Sequence, residues 1–263
     1  MSDVNPYQQP EADVVGRATA PGDMQLSEPR KVTVGEALAW IGDGMKLLSG
    51  HWGVVIGALV MIFVITTVLQ FVPLIGPLAQ PFLMTLLYGG LVKIFHRIDT
   101  TGQSDFTDLF AGFSQRTGPL LLLSLAQLGV FVAIGLLVGV GVVAMAGTAG
   151  VMSQGMDPSM GSGGFGVGSL LLGLVGLVVM VLVAFLFYFS VPLVMLTDTG
   201  PGRAMSLSFK ACMKNLGPMI VYGLVAMVMV ALGALPALLG WLFVMPILAG
   251  AFYLSFKRIL TES

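Results

Sequence analysis

Six stretches of this chain run almost free of polar residues, at 53–72, 78–95, 118–146, 168–196, 217–235 and 241–256. Apolar runs of about this length cross a hydrocarbon core of roughly 30 Å as α-helices. The third and fourth are the longest; at ~1.5 Å per residue they reach about 42 Å, so each tilts or projects beyond the core. Pro73, Gly76 and Pro77 mark a tight reversal between the first two spans, and Pro236 and Gly240 one between the last two. A Gly/Ser/Met-rich loop at 147–167 joins the third and fourth.

Between the spans, three shorter segments are amphipathic. Ala37, Trp40, Ile41, Gly44, Leu47 and Leu48 follow helical spacing, with Glu36, Asp43 and Lys46 off the stripe. Phe106, Leu109, Phe110 and Phe113 share a face behind Ser104, an expected N-cap, with Asp105 and Asp108 near the helix start. Met205, Phe209, Cys212, Met213 and Leu216 form a third stripe opposite Ser206, Lys210 and Lys214. Helices of this kind suit the plane of a membrane interface. Each leads through a small-residue junction into a hairpin of spans, which divides the chain into units at 36–98, 104–197 and 203–259. Whether these are repeats of one another stays open, because they match weakly residue by residue.

Composition agrees with a membrane solvent. Of 263 residues, 56% are hydrophobic and 10% charged, where a soluble domain carries about a quarter charged. Mean hydropathy is +0.96. The net charge of −1 says little, but the placement of charge says much. All twelve Lys and Arg fall in the N-terminal tail, in the 96–117 and 197–216 connections, or near span ends on that same side. The opposite connections, at 73–77, 147–167 and 236–240, have none. The positive-inside rule then puts both termini in the cytoplasm, which requires an even number of spans. Residues 1–31, rich in Pro, Asp, Glu and Gly, read as a disordered tail ahead of a single membrane domain at 32–263. The expected fold is therefore all-α: six transmembrane helices and three interfacial ones.

Several short motifs belong together: Asn5-Pro6-Tyr7-x-x-Pro10, Val72-Pro73-x-x-Gly76-Pro77, Asp108-Leu109-Phe110-Ala111-Gly112-Phe113 and Asn215-Leu216-Gly217-Pro218. In these the chain resembles an uncharacterised family of proteobacterial six-span inner-membrane proteins, loosely YciC-like. The resemblance implies a bacterial inner membrane and a six-helix fold, and it brings no functional residues with it.

Candidate chemistry is sparse. No Asp, Glu, His or Arg falls at mid-span, where a proton-coupled carrier would need one. The polar residues within the spans are Thr66, Thr67, Gln70, Gln80, Thr85, Ser124, Gln127 and Ser190, read as interhelical hydrogen-bonding groups. A solute path lined by Gln70, Gln80 and Gln127 is the alternative. Pro81, Pro192 and Pro246 are read as packed kinks, with broken helices that expose backbone groups to a cavity as the alternative. Ser206, Ser208 and Cys212 have no histidine nearby in sequence. His96, Asp99, Asp105 and Asp108 could gather a cation, but solvated caps and span ends are the simpler reading. Met152, Met156 and Met160 recur every four residues in the 147–167 loop. Thioethers favour soft metals, yet with no Cys or His beside them a low-complexity loop is the expectation. Gly53-x-x-x-Gly57 and Gly135-x-x-x-Gly139 offer small faces for close helix packing.

The resulting expectation is a membrane component that binds lipids, other membrane proteins or itself, with no enzymatic activity, cofactor or nucleic-acid partner. Lys46, Arg203, Lys210 and Lys214 are the expected contacts to anionic lipid headgroups. A carrier for a neutral or amphiphilic solute is the alternative.

Overall fold

The computed structural model describes residues 24–153, 167–235 and 239–261, with side chains described outside 142–172. Within these residues the chain is helical: α1 (Val34–Leu47), α2 (Trp52–Gln70), α3 (Ile75–Thr101), a 3-10 helix (Phe106–Phe113), α4 (Thr117–Ser153), α5 (Val167–Phe187), α6 (Ser190–Leu196), α7 (Pro201–Lys214), α8 (Leu216–Ala234) and α9 (Trp241–Leu260). The sole β-pairing among the described residues is an isolated bridge between Leu26 and Thr261. Six segments are long and apolar enough to span a bilayer: α2, α3, α4, the α5–α6 pair, α8 and α9. The protein is an all-α integral membrane protein.

Burial is uneven among the spans. Half or more of the apolar window is buried in α3 (56%) and α9 (50%), against 11–17% in the other four. These two helices therefore form the centre, and the others present most of their surface outward. Burial is also uneven along the axis. In α3 it is concentrated from Thr85 to Ile98 and in α9 from Gly250 to Leu260, toward the end where Arg97 and Arg258 lie. At the other end Phe71, Leu74, Leu136, Leu137 and Leu235 are exposed. In lipid an exposed apolar surface carries no hydrophobic penalty, so the outer halves can splay without cost.

Glycines let the central helices be approached closely. A Cβ on Gly44 of α1 would lie 2.7 Å from the Ala251 nitrogen of α9. A Cβ on Gly90 of α3 would overlap the Leu109 carbonyl, and one on Gly112 would overlap the Leu86 carbonyl. The 3-10 helix is thus seated directly on the α3 backbone. The expected seams behave differently: Gly53, Gly135 and Gly139 face open space, and Gly57 meets only the Phe106 ring.

Other boundaries move as well. The third span continues as helix to Ser153, which absorbs the first part of the expected 147–167 loop. Met152 lies on that helix, while Met156, Met160, residues 1–23 and most of the 236–240 reversal lie outside the described residues. The second segment is a 3-10 helix capped by Asp105, whose carboxylate accepts from the Thr107 N–H at 2.9 Å. Ser104, the expected cap, instead lies 3.0 Å from His51 Nδ1. The aromatic stripe there also points outward: Phe110 and Phe113 are exposed, while Asp108, Leu109, Ala111 and Gly112 are buried. On α7 the buried face is small, made of Ala204, Ser208, Ala211 and Cys212, whereas Met213 and Leu216 of the expected stripe are exposed.

The fourth span is broken between Phe187 and Ser190. The Ser208 hydroxyl enters the gap, donating to the Phe185 carbonyl at 2.7 Å and accepting from the Phe189 N–H at 2.9 Å. Those two backbone groups would bond to each other in an unbroken helix. Pro192, which has no N–H to offer the Tyr188 carbonyl, sits one turn further on. Pro81 and Pro246 lie within continuous helices.

Residues 24–31, expected as the end of the tail, pack on the bundle. The Ser27 and Arg30 N–H groups donate to Leu260 and Ile259 carbonyls at 2.9 Å each. Asn215, at the α7–α8 junction, holds this strap: its amide accepts from the Val32 N–H at 2.8 Å and donates to the Arg30 and Ala211 carbonyls at 2.9 and 3.0 Å. Asn215→Ala strands buried polar groups and is expected to cost about 2 kcal/mol. Trypsin should then cleave at Arg30 and Lys31 markedly faster than in the parent protein.

Candidate functional site

The basic residues at the charged end fall into two groups, those used up within the fold and those presented outward. Lys257 Nζ donates to Asp99 Oδ2 at 2.6 Å, and the Tyr253 hydroxyl donates to the same oxygen at 2.9 Å. His96 Nδ1 lies 3.3 Å from the Tyr253 oxygen. This ties the ends of α3 and α9 together. Arg97 spans the following connection, reaching Asp105 Oδ2 at 3.0 Å and Asp108 Oδ2 at 2.8 Å. Arg258 reaches Asp43 at 2.7 Å, linking α9 to α1, and Lys46 reaches the same carboxylate at 3.1 Å. Arg116 pairs with Asp198, joining the start of α4 to the end of α6. Lys214 Nζ donates to the Pro29 carbonyl at 2.6 Å.

Two carboxyls in this network are driven in opposite directions. Hydrogen bonds from Arg258 and then Lys46 hold Asp43 below the ordinary carboxylate range. Burial pushes Asp108 upward, against the pull of Arg97 and Lys93. The four groups that could have gathered a cation are therefore divided between two cationic partners. His96 and Asp99 face Tyr253 and Lys257, while Asp105 and Asp108 face Arg97.

On α7, Ser208 is held in the helix break and Cys212 is buried, its thiol pushed up to about 12 by burial. Neither is presented as a nucleophile. The outward face is basic. Arg203 and Lys210 are seven residues apart, hence two turns along one face and roughly 10 Å from each other. Both are exposed, and neither makes an ion pair or hydrogen bond among the described residues. Lys31 is the other described basic residue in that condition. Of the four expected headgroup contacts, the structure thus brings Arg203 and Lys210 together. Lys214 is turned to the strap, and Lys46 sits on α1 beside Asp43, away from α7.

The polar residues within the spans do not bridge helices as expected. Thr66, Thr85 and Ser124 each donate to the carbonyl four residues back in their own helix, and Ser190 donates across the break to the Leu186 carbonyl of α5. Gln70 is exposed at the end of α2 and Gln80 is half-buried on α3. Of the three glutamines, Gln127 lines two adjacent clefts. One cleft of about 230 Å³ lies between α3, α4 and the α5–α6 break, bounded by Thr85, Tyr88, Leu123, Gln127 and Phe187. A second of about 270 Å³ continues between α4 and α5, with Gln127 and Phe187 as common walls. The glutamine path is therefore not assembled, but one of its members opens on a crevice. Sequence reasoning missed the Asp99–Tyr253–Lys257 contact, because its partners are more than 150 positions apart and no local spacing announces them.

No protein-family model, curated protein or solved structure matches this chain.

Proposed function

We propose that the protein is a lipid-binding component of a bacterial inner membrane, oriented with both termini in the cytoplasm, and that α7 engages anionic headgroups. The observation that carries this reading is the pair Arg203 and Lys210, exposed on one helical face while nearly all the other described basic residues are engaged within the fold. A guanidinium and an ammonium about two turns apart fit phosphate oxygens, and each contributes on the order of 1 kcal/mol near an anionic leaflet. The small buried face of α7 supports the same reading, because it sets the helix close against α5 and α6 and leaves the basic face outward. The clustering of positive charge at one end of the bundle supports the orientation.

The test is retention of phosphatidylglycerol by purified protein, read by native mass spectrometry. Arg203→Gln with Lys210→Gln should weaken retention by about 2 kcal/mol, or roughly thirtyfold. Lys214 is left in place because it holds the strap. Cysteine labelling in the same variant should still put residues near 105 and 207 inside and near 155 outside. Unchanged lipid retention with that topology intact ends the reading.

A further inference from the structure

We infer that the crevice between α3, α4 and the broken fourth span is a binding site for a neutral amphiphile, an apolar chain carrying an uncharged carbonyl or hydroxyl, with Gln127 as its polar anchor. This goes beyond the headgroup reading: the site, the ligand charge and the depth are all different.

The reasoning starts from depth. Gln127 lies ten residues into α4 from Thr117 at the charged end, about 15 Å along the axis and so roughly half of a ~30 Å hydrocarbon core. Its carboxamide has two donors and an acceptor, yet it makes no hydrogen bond among the described residues. A polar group left without a partner in hydrocarbon is costly. Thr66, Thr85 and Ser124 avoid that cost by bonding to the carbonyl four residues back in their own helices, and Ser190 by bonding across the α5–α6 break. Gln127 is too far along its side chain to do the same, and it faces the two joined clefts instead.

The surroundings narrow the occupant. No charged residue lines either cleft; the polar groups beside Gln127 are Thr85 and Tyr88. A phosphate or ammonium would enter without a counter-charge, so a neutral head is favoured. The remaining walls are apolar, including Leu123, Phe131, Val183 and Phe187. Met84, Phe131 and Met180 are exposed at the rim, so the crevice opens sideways on the lipid-facing flank and a chain can enter from the bilayer. Volumes of about 230 and 270 Å³ together reach the scale of small-molecule sites, roughly 300–1,000 Å³. Phe187, at the break before Ser190, lines both clefts.

The experiment uses 1,2-dioleoylglycerol as the probe, added to the purified full-length protein and followed by native mass spectrometry. The parent protein should retain it. Gln127→Leu removes the anchor at similar volume and should weaken retention about tenfold, the worth of one hydrogen bond inside a membrane. Ala184→Phe fills the second cleft and should abolish it. Arg203→Gln with Lys210→Gln should leave it unchanged, which separates this site from the headgroup site. A diazirine analogue of the same lipid, photolysed on the parent protein, should label residues within 123–131 and 180–191. Equal retention by Gln127→Leu, no retention by the parent, or labelling confined to other segments would each overturn the proposal.

Discussion

Replacing Arg97 by Met lowers stability by about 3 kcal/mol at neutral pH, the expected result of leaving a buried carboxylate without its nearest cation. The Asp108 side chain is 8% exposed, and Arg97 Nε stands 2.8 Å from its Oδ2. The reverse change is expected to be mild. Burial already pushes the Asp108 carboxyl upward despite Arg97, so the anion is costly where it sits and Asp108→Asn removes that cost along with the pair. Arg97 keeps Asp105 as a partner in that variant. The double change, Arg97→Met with Asp108→Asn, should recover most of the loss. Thermal midpoints of the four proteins in one detergent supply the cycle.

The pH dependence of the Arg97→Met protein follows with a definite sign. A carboxyl whose folded pKa lies above its unfolded value binds its proton more readily in the native state. Stability contributed by that proton is present at low pH and lost as pH rises through the folded value. The deficit in Arg97→Met should therefore shrink as pH falls from 7 toward 5, while the Arg97→Met, Asp108→Asn protein shows no such recovery. A deficit independent of pH would mean that Asp108 is not the group left exposed to the loss.

Gly90→Ala is the second large effect, about 3 kcal/mol, at the upper end of what overpacking produces. One added methyl would overlap the Leu109 carbonyl. That obstacle is backbone, so no rotamer change relieves it, and the 3-10 helix must lift from α3. Lifting it also pulls Asp108 away from Arg97, so the two predictions share one interface. Gly135→Ala is the control, because nothing lies within 4 Å of a Cβ there. It should leave the thermal midpoint unchanged, while Gly90→Ala lowers it by many degrees. Similar midpoints for the two variants would show that the 3-10 helix is not seated as described.

By itself the sequence determined the solvent of this protein and most of its secondary structure. Runs of apolar residues as long as a bilayer is thick have one stable answer in lipid, so six spans and the Pro73 reversal were legible in advance. Pro192 pointed to the span that is interrupted, although the break itself falls at Phe187–Ser190 and Pro81 and Pro246 leave their helices continuous. The stripe of Ala37, Trp40 and Gly44 also read correctly, because α1 buries one face, against α9 and α8.

Tertiary structure decided what spacing cannot encode. Which of 35 glycines would be approached depended on where a neighbour's backbone passes. Gly90 and Gly112, which no small-residue spacing marks, are close contacts, while the Gly135 and Gly139 pair is not. The expected stripes on the 3-10 helix and α7 are split, with Leu109 and Cys212 buried and Phe110, Phe113, Met213 and Leu216 exposed, because in a membrane protein apolar side chains can also face lipid. Basic residues that all counted alike as topology signals were separated by their partners. Lys257 and Arg258 meet carboxylates contributed by distant segments and Arg97 meets two in the connection that follows it, whereas Arg203 and Lys210 meet none among the described residues. Gln127 differs from Gln70 and Gln80 for the same reason: a cavity exists only where helices fail to fill space together, and that is a property of the packed bundle rather than of any one span.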